Sequence, residues 1–103
     1  MLTKYKNIIG DRAFHEVKLE KITGTEFITK IEGRAFKWLN VENINLPNVT
    51  EIGEYAFEAS NVKYFNFGNN LMCIKNQVFV NTKQVNRMYI PNGVNLVAYA
   101  LYV

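Results

Sequence analysis

The apolar positions of this chain recur in two interleaved patterns. Residues 9–14 read I-G-D-R-A-F, 31–36 I-E-G-R-A-F, 52–57 I-G-E-Y-A-F and 74–79 I-K-N-Q-V-F. The closing residues Phe14, Phe36, Phe57 and Phe79 are 22, 21 and 22 residues apart. Between the hexads runs a second pattern, two apolar residues three apart and a third after one spacer. It is written Val41-x-x-Ile44-x-Leu46, Val62-x-x-Phe65-x-Phe67 and Val85-x-x-Met88-x-Ile90, with a weaker first copy, Leu19-x-x-Ile22-x-Gly24. Two patterns holding one register define an internal repeat, and a fixed period of this length marks a stacked architecture.

The second pattern predicts a short strand in each repeat, because residues two apart share a face and the apolar ones turn inward. Pro47 and Pro91 follow two of these strands directly, where a missing N–H ends sheet pairing at little cost. Fourteen asparagines suit the tight turns between patterned segments. A unit of this size cannot bury its apolar face alone, so the repeats must stack. Strand then pairs with strand, and the four hexad phenylalanines form an internal column. The small Ala13, Ala35 and Ala56 let neighbouring coils approach. A degenerate fifth hexad is expected at residues 97–102, V-A-Y-A-L-Y, with Tyr102 in the phenylalanine place. Residues 1–103 are thus expected to form one solenoid domain of four full repeats plus a degenerate fifth.

These residues carry a resemblance. The run from Val41 to Phe57, a strand, a proline and then I-G-x-x-A-F, resembles the BspA-type leucine-rich repeat. Departures are Glu32 and Lys75 in the place of the hexad glycine, and Gly33 one position late. The resemblance implies a mostly β, right-handed repeat solenoid with short parallel strands on its concave face and turns or short helical turns elsewhere. It also implies a bacterial or protozoan surface protein that binds host or matrix proteins.

Composition fits a globular chain, with 49% hydrophobic and 20% charged residues. The formal charge of +3 falls short of the basic signature of a nucleic-acid binder. No apolar run is long enough for a membrane helix. The N-terminal M-L-T-K-Y-K has no apolar signal-peptide core behind its lysines. The expected location is the cytoplasm, or the cell surface if the sequence is a fragment of a longer family member.

Reactive groups are scarce: one histidine (His15), one cysteine (Cys73) and one serine (Ser60). His15 and Cys73 fall in different coils, and coils about 4.8 Å apart keep them far beyond the ~3 Å that a nucleophile and its base require. Glu20 and Glu42 share a strand position about 5 Å apart, a separation found in retaining glycosidases, but on an open sheet they read as solvated charges near Lys21. No metal-ligand spacing or phosphate loop occurs. No catalytic residue, cofactor or metal is expected. Asn48-Val49-Thr50 has the form of a glycosylation sequon.

The informative positions are the strand spacers. They run from Glu20, Lys21 and Thr23 through Glu42, Asn43 and Asn45 to Lys63, Tyr64 and Asn66, then Asn86, Arg87 and Tyr89. The face passes from acidic and polar to basic and aromatic. Tyrosine and arginine supply much of the binding energy of protein interfaces, so Lys63, Tyr64, Asn66, Arg87 and Tyr89 are the expected partner-binding residues. Arg12 and Arg34 occupy equivalent turn positions one coil apart and form a candidate anion site. Tyr99, Leu101 and Tyr102 close the last coil and form a candidate end-to-end interface, through which a homodimer could assemble. The expected role is a non-enzymatic protein-binding module. The alternatives are a small intracellular inhibitor, such as a phage-encoded anti-defence protein, and a fragment of a bacterial surface adhesin.

Overall fold

A computed structural model describes residues 7–14, 18, 22–97 and 99–101. The chain winds into a solenoid whose coils are joined by two parallel sheets. The first holds three strands, β3 (Asn43–Asn45), β5 (Tyr64–Asn66) and β7 (Arg87–Tyr89), in that order. The second holds five strands of two residues each: β1 (Ile8–Ile9), β2 (Lys30–Ile31), β4 (Glu51–Ile52), β6 (Cys73–Ile74) and β8 (Asn95–Leu96). Parallel bridges Lys18↔Asn40 and Asn40↔Asn61 mark the approach to the first sheet. The helical content among the described residues is one 3-10 turn at Thr25–Phe27. The three-stranded sheet holds the strands predicted in three repeats; in the weaker first copy residues 22–24 form no strand, and residues 19–21 lie outside the described ones. The five-stranded sheet replaces what was expected to be turn, and it sits at the opening residue of each hexad, an isoleucine in four and Leu96 in the last.

The register of that sheet corrects the fifth hexad. Ile74 pairs with Leu96 as Ile52 pairs with Ile74. In four hexads a turn closes from the fifth residue to the second: Ala13 N–H to Gly10 O, Ala35 to Glu32, Ala56 to Gly53 and Ala100 to Val97. The last hexad is therefore residues 96–101, and Leu101, not Tyr102, takes the phenylalanine place. Tyr102 itself lies outside the described residues.

The hexad turns also bond across coils. The N–H groups of Arg34, Phe36 and Trp38 donate to the carbonyls of Glu54, Ala56 and Glu58, and those of Tyr55, Phe57 and Ala59 to Asn76, Val78 and Val80. Every second residue thus turns its N–H along the solenoid axis. This geometry needs left-handed backbone at fixed places: Arg12, Arg34, Tyr55, Gln77 and Tyr99 in one column and Trp38, Ala59 and Asn81 in another, all with φ between 51° and 62°. Such backbone strains a residue with a side chain, and the ladder bonds offset that strain.

Two apolar columns fill the interior. Ile31, Ile52 and Ile74 are fully buried, with Ile9 nearly so. The four phenylalanine rings stack with centroids 5.3, 5.2 and 6.1 Å apart. Phe65, pointing inward from β5, meets Phe57 and Phe79 edge-on at 5.1 and 5.2 Å, the arrangement that aromatic quadrupoles favour. Ala35 and Ala56 are fully buried between coils, whereas Ala13 on the first coil is exposed. Gly53 permits close approach of neighbouring coils, since a Cβ there would lie 2.7 Å from backbone atoms of Glu32 and Gly33. Gly68 has φ +49°, and a Cβ there would overlap Pro47.

Side-chain ladders tie the turns between the two sheets. Thr50 Oγ1 donates to Thr29 O at 3.0 Å, Asn48 Nδ2 to Glu26 O at 2.7 Å, and Asn70 Nδ2 to Asn48 Oδ1 at 3.3 Å. Glu51 lies between Lys30 (3.3 Å) and Lys75 (3.8 Å), an exposed bridge over three coils.

Candidate functional site on the three-stranded sheet

Alternation along β3, β5 and β7 sends Ile44, Phe65 and Met88 inward and leaves their neighbours outward. Parallel pairing then aligns the outward residues in two rows, Asn43–Tyr64–Arg87 and Asn45–Asn66–Tyr89. Neighbours in a row stand about 4.8 Å apart, the parallel strand spacing. The rows flank an open trough of about 420 Å³ lined by these six residues, with Ile44 and Phe65 contributing to its floor. The floor is rigid: Ile44 and Phe65 are buried, and Phe65 is held between two rings of the core.

Two polar contacts orient the lining. Tyr89 donates its hydroxyl to Asn69 Oδ1 at 2.9 Å. Asn66 Oδ1 accepts the N–H of Gly68 at 3.2 Å, which leaves the Asn66 amide nitrogen as the free end of that side chain. Tyr89 is 49% exposed, and Tyr64 is half-buried.

Of the five residues expected to bind a partner, Tyr64, Asn66, Arg87 and Tyr89 come together in the trough. Lys63 does not. It lines a neighbouring depression of about 290 Å³ with Asn40, Glu42, Asn61 and Gln84. Asn43 and Asn45 belong to the trough but were left out of the expected site, although they occupy the same strand places as Tyr64 and Asn66. Their position in the repeat is the signal that could have included them.

Arg12 and Arg34 both adopt φ 58° at equivalent turn positions. The Arg34 guanidinium lies 5.4 Å over the ring of Tyr55, and Tyr55 donates its hydroxyl to Gln77 Oε1 at 2.7 Å. This column therefore links successive coils through an aromatic face and a hydrogen bond. On the last coil, Tyr99 is 71% and Leu101 46% exposed, and Leu96 and Val97, absent from the expected end surface, are exposed beside them.

Cys73 is half-buried on β6, and Ser60 is fully buried with no hydrogen-bond partner for its Oγ. His15, Glu20 and Lys21 lie outside the described residues. Among the described residues, no group of three acidic, histidine or cysteine side chains is placed to hold a metal. No helix among them is long and apolar enough to cross a membrane.

Comparison with known families decides the class. The BspA type leucine rich repeat region matches residues 2–102, in six copies of its repeat. This chain belongs to the BspA-type leucine-rich-repeat family. The hexad columns and the paired strands are thus the BspA-type repeat, and the trough lies on its outward strand positions. No curated protein matches the chain. No solved structure matches it.

Proposed function

We propose that this BspA-type repeat domain is a non-enzymatic module that binds a protein through the three-stranded sheet. The observation that carries this reading is the gathering of two tyrosines and an arginine, Tyr64, Tyr89 and Arg87, over a buried apolar floor of Ile44 and Phe65. Such residues bury large area with few rotors and keep polar tips, which is how interface anchors gain energy without a large entropy cost. The repeat supports the reading mechanically. Tyr64 stands on the central strand, bonded to both neighbouring coils, and Arg87 and Tyr89 stand on an edge strand bonded to it, so the sheet holds all three in register before a partner arrives.

The test is site-directed photo-cross-linking in lysate of the source cells. Benzoylphenylalanine is placed at Tyr64, or, as a control, at Glu54 in the hexad turn that follows β4. The reading expects a discrete protein adduct from position 64 that is absent from position 54 and lost when Arg87→Ala and Tyr89→Ala are added. Adducts of equal yield from both positions, or none from position 64, overturn it.

A further inference from the structure

The trough is lined by one cation and no carboxylate, whereas the depressions around it mix both signs. Arg87 is the only ionised residue among the trough's lining residues, and the rest of its polar lining is asparagine and tyrosine. The adjoining depression contributes one further cation, Lys63, and one carboxylate, Glu42. The carboxylates Glu32, Glu51 and Glu54 lie around a separate depression beside the five-stranded sheet, together with Lys30 and Lys75, both of which pair with Glu51. A partner that covers the trough removes water from a guanidinium, and this is costly unless the partner brings a negative charge to it. The asparagines add a second constraint. An amide side chain offers one donor group and one acceptor, the same pair that a peptide unit presents. Asn43 and Asn45 on β3 and Asn66 on β5 stand at outward positions; the first two offer both groups and Asn66, whose Oδ1 holds Gly68, offers its amide donor to the main chain of a segment lying across the strands.

We propose that the trough takes an extended acidic polypeptide segment, with a carboxylate on Arg87, main-chain amides against Asn45 and Asn66, and apolar atoms against the rings of Tyr64 and Tyr89. This rests on the reading of the sheet as a protein-binding face and adds the chemistry of the partner. A neutral glycan could use the asparagines and tyrosines but would leave the covered guanidinium without a counter-charge. Arginine also offers the forked donor pair that a carboxylate accepts at two points.

The experiment uses fluorescein-labelled decapeptides, (Gly-Glu)5, (Gly-Gln)5 and (Gly-Lys)5, with fluorescence anisotropy on the full chain. Unlabelled cellopentaose serves as a competitor. The expected result is binding of (Gly-Glu)5 alone, weakened about tenfold by Arg87→Gln, partly restored by Arg87→Lys and weakened about threefold by Asn45→Ala. Lys75→Gln, which removes the same charge just beyond β6, leaves binding within twofold. Binding of (Gly-Gln)5 as tight as that of (Gly-Glu)5, displacement by cellopentaose, equal loss from Arg87→Gln and Lys75→Gln, or no binding of (Gly-Glu)5 each overturn the proposal. The cross-linking result separates the two readings. A specific adduct from position 64 together with failure of the acidic peptide leaves the sheet as the binding face and removes only the acidic preference. No adduct from position 64 removes the face itself.

Discussion

The rings of Phe36 and Phe57 lie face to face, 7° from parallel and 5.2 Å between centroids. Both are fully buried. This contact is the repeat expressed as packing: one residue per coil, at one place, touching its counterpart in the next coil.

Phe57 is the member with the most ring neighbours, since it also meets Phe65, Phe67 and Phe79. Phe57→Ala is expected to cost about 3–5 kcal/mol. For a domain of this size the melting midpoint then falls by at least about 12 °C. Calorimetry checks this, and a midpoint within a degree or two of the parent would show that the column does not carry the fold.

Two glycines should behave differently although they hold the same hexad place. Gly53→Ala drives a Cβ into the backbone of the preceding coil, and overpacking of that kind costs about 1–3 kcal/mol. Gly10→Ala meets nothing within 4 Å and should stay within about 0.5 kcal/mol of the parent. Urea midpoints of the two variants, measured side by side, give the comparison.

The left-handed columns offer a gain. Ala59 has φ 56° and its methyl is only partly buried. Ala59→Gly relieves the steric cost of that backbone and adds the entropy cost of glycine, a net stabilisation of about 0.5 kcal/mol. The melting midpoint should rise by about 2–4 °C. A fall would mean that the methyl contributes more through packing than it costs in strain.

At the trough, binding and stability should separate. Arg87 and Tyr89 are exposed, so Arg87→Ala and Tyr89→Ala should each leave stability within about 0.5 kcal/mol while reducing adduct formation from position 64. Thermal melts and cross-linking on the same preparations test this. Variants that lose both together would mark the two residues as structural.

Much of the fold was legible because its signals repeat. The hexad phenylalanines and the V-x-x-I-x-L strands each recur at one spacing, and every copy reinforces the others. The five-stranded sheet was not legible for a physical reason. A strand of two residues such as Lys30–Ile31 contains a single inward side chain, too little for alternation to be seen. The fifth hexad slipped by one residue because Leu101 and Tyr102 are adjacent and both apolar, so composition alone does not choose between them. The pairing of Ile74 with Leu96 does. At the candidate site, Lys63 was grouped with Tyr64 because two spacers separate Val62 from Phe65, and only strand register shows which spacer faces the trough. Asn43 and Asn45 read as spacers on the polar part of the face, and only the strand pairing shows that they line the same trough as Tyr64 and Asn66.

Coils that touch only their neighbours give the molecule no single moment of opening. The inner coils, holding Phe36 and Phe57, are covered on both sides, while Ile8 at one end and Leu96 at the other are half exposed. Opening events therefore start at the ends and move inward, and each one releases about one coil of chain. Time, rather than depth from the surface, becomes the coordinate that orders this protein. Its amide protons should exchange as a sequence of fronts converging from both ends on the coils around Phe57.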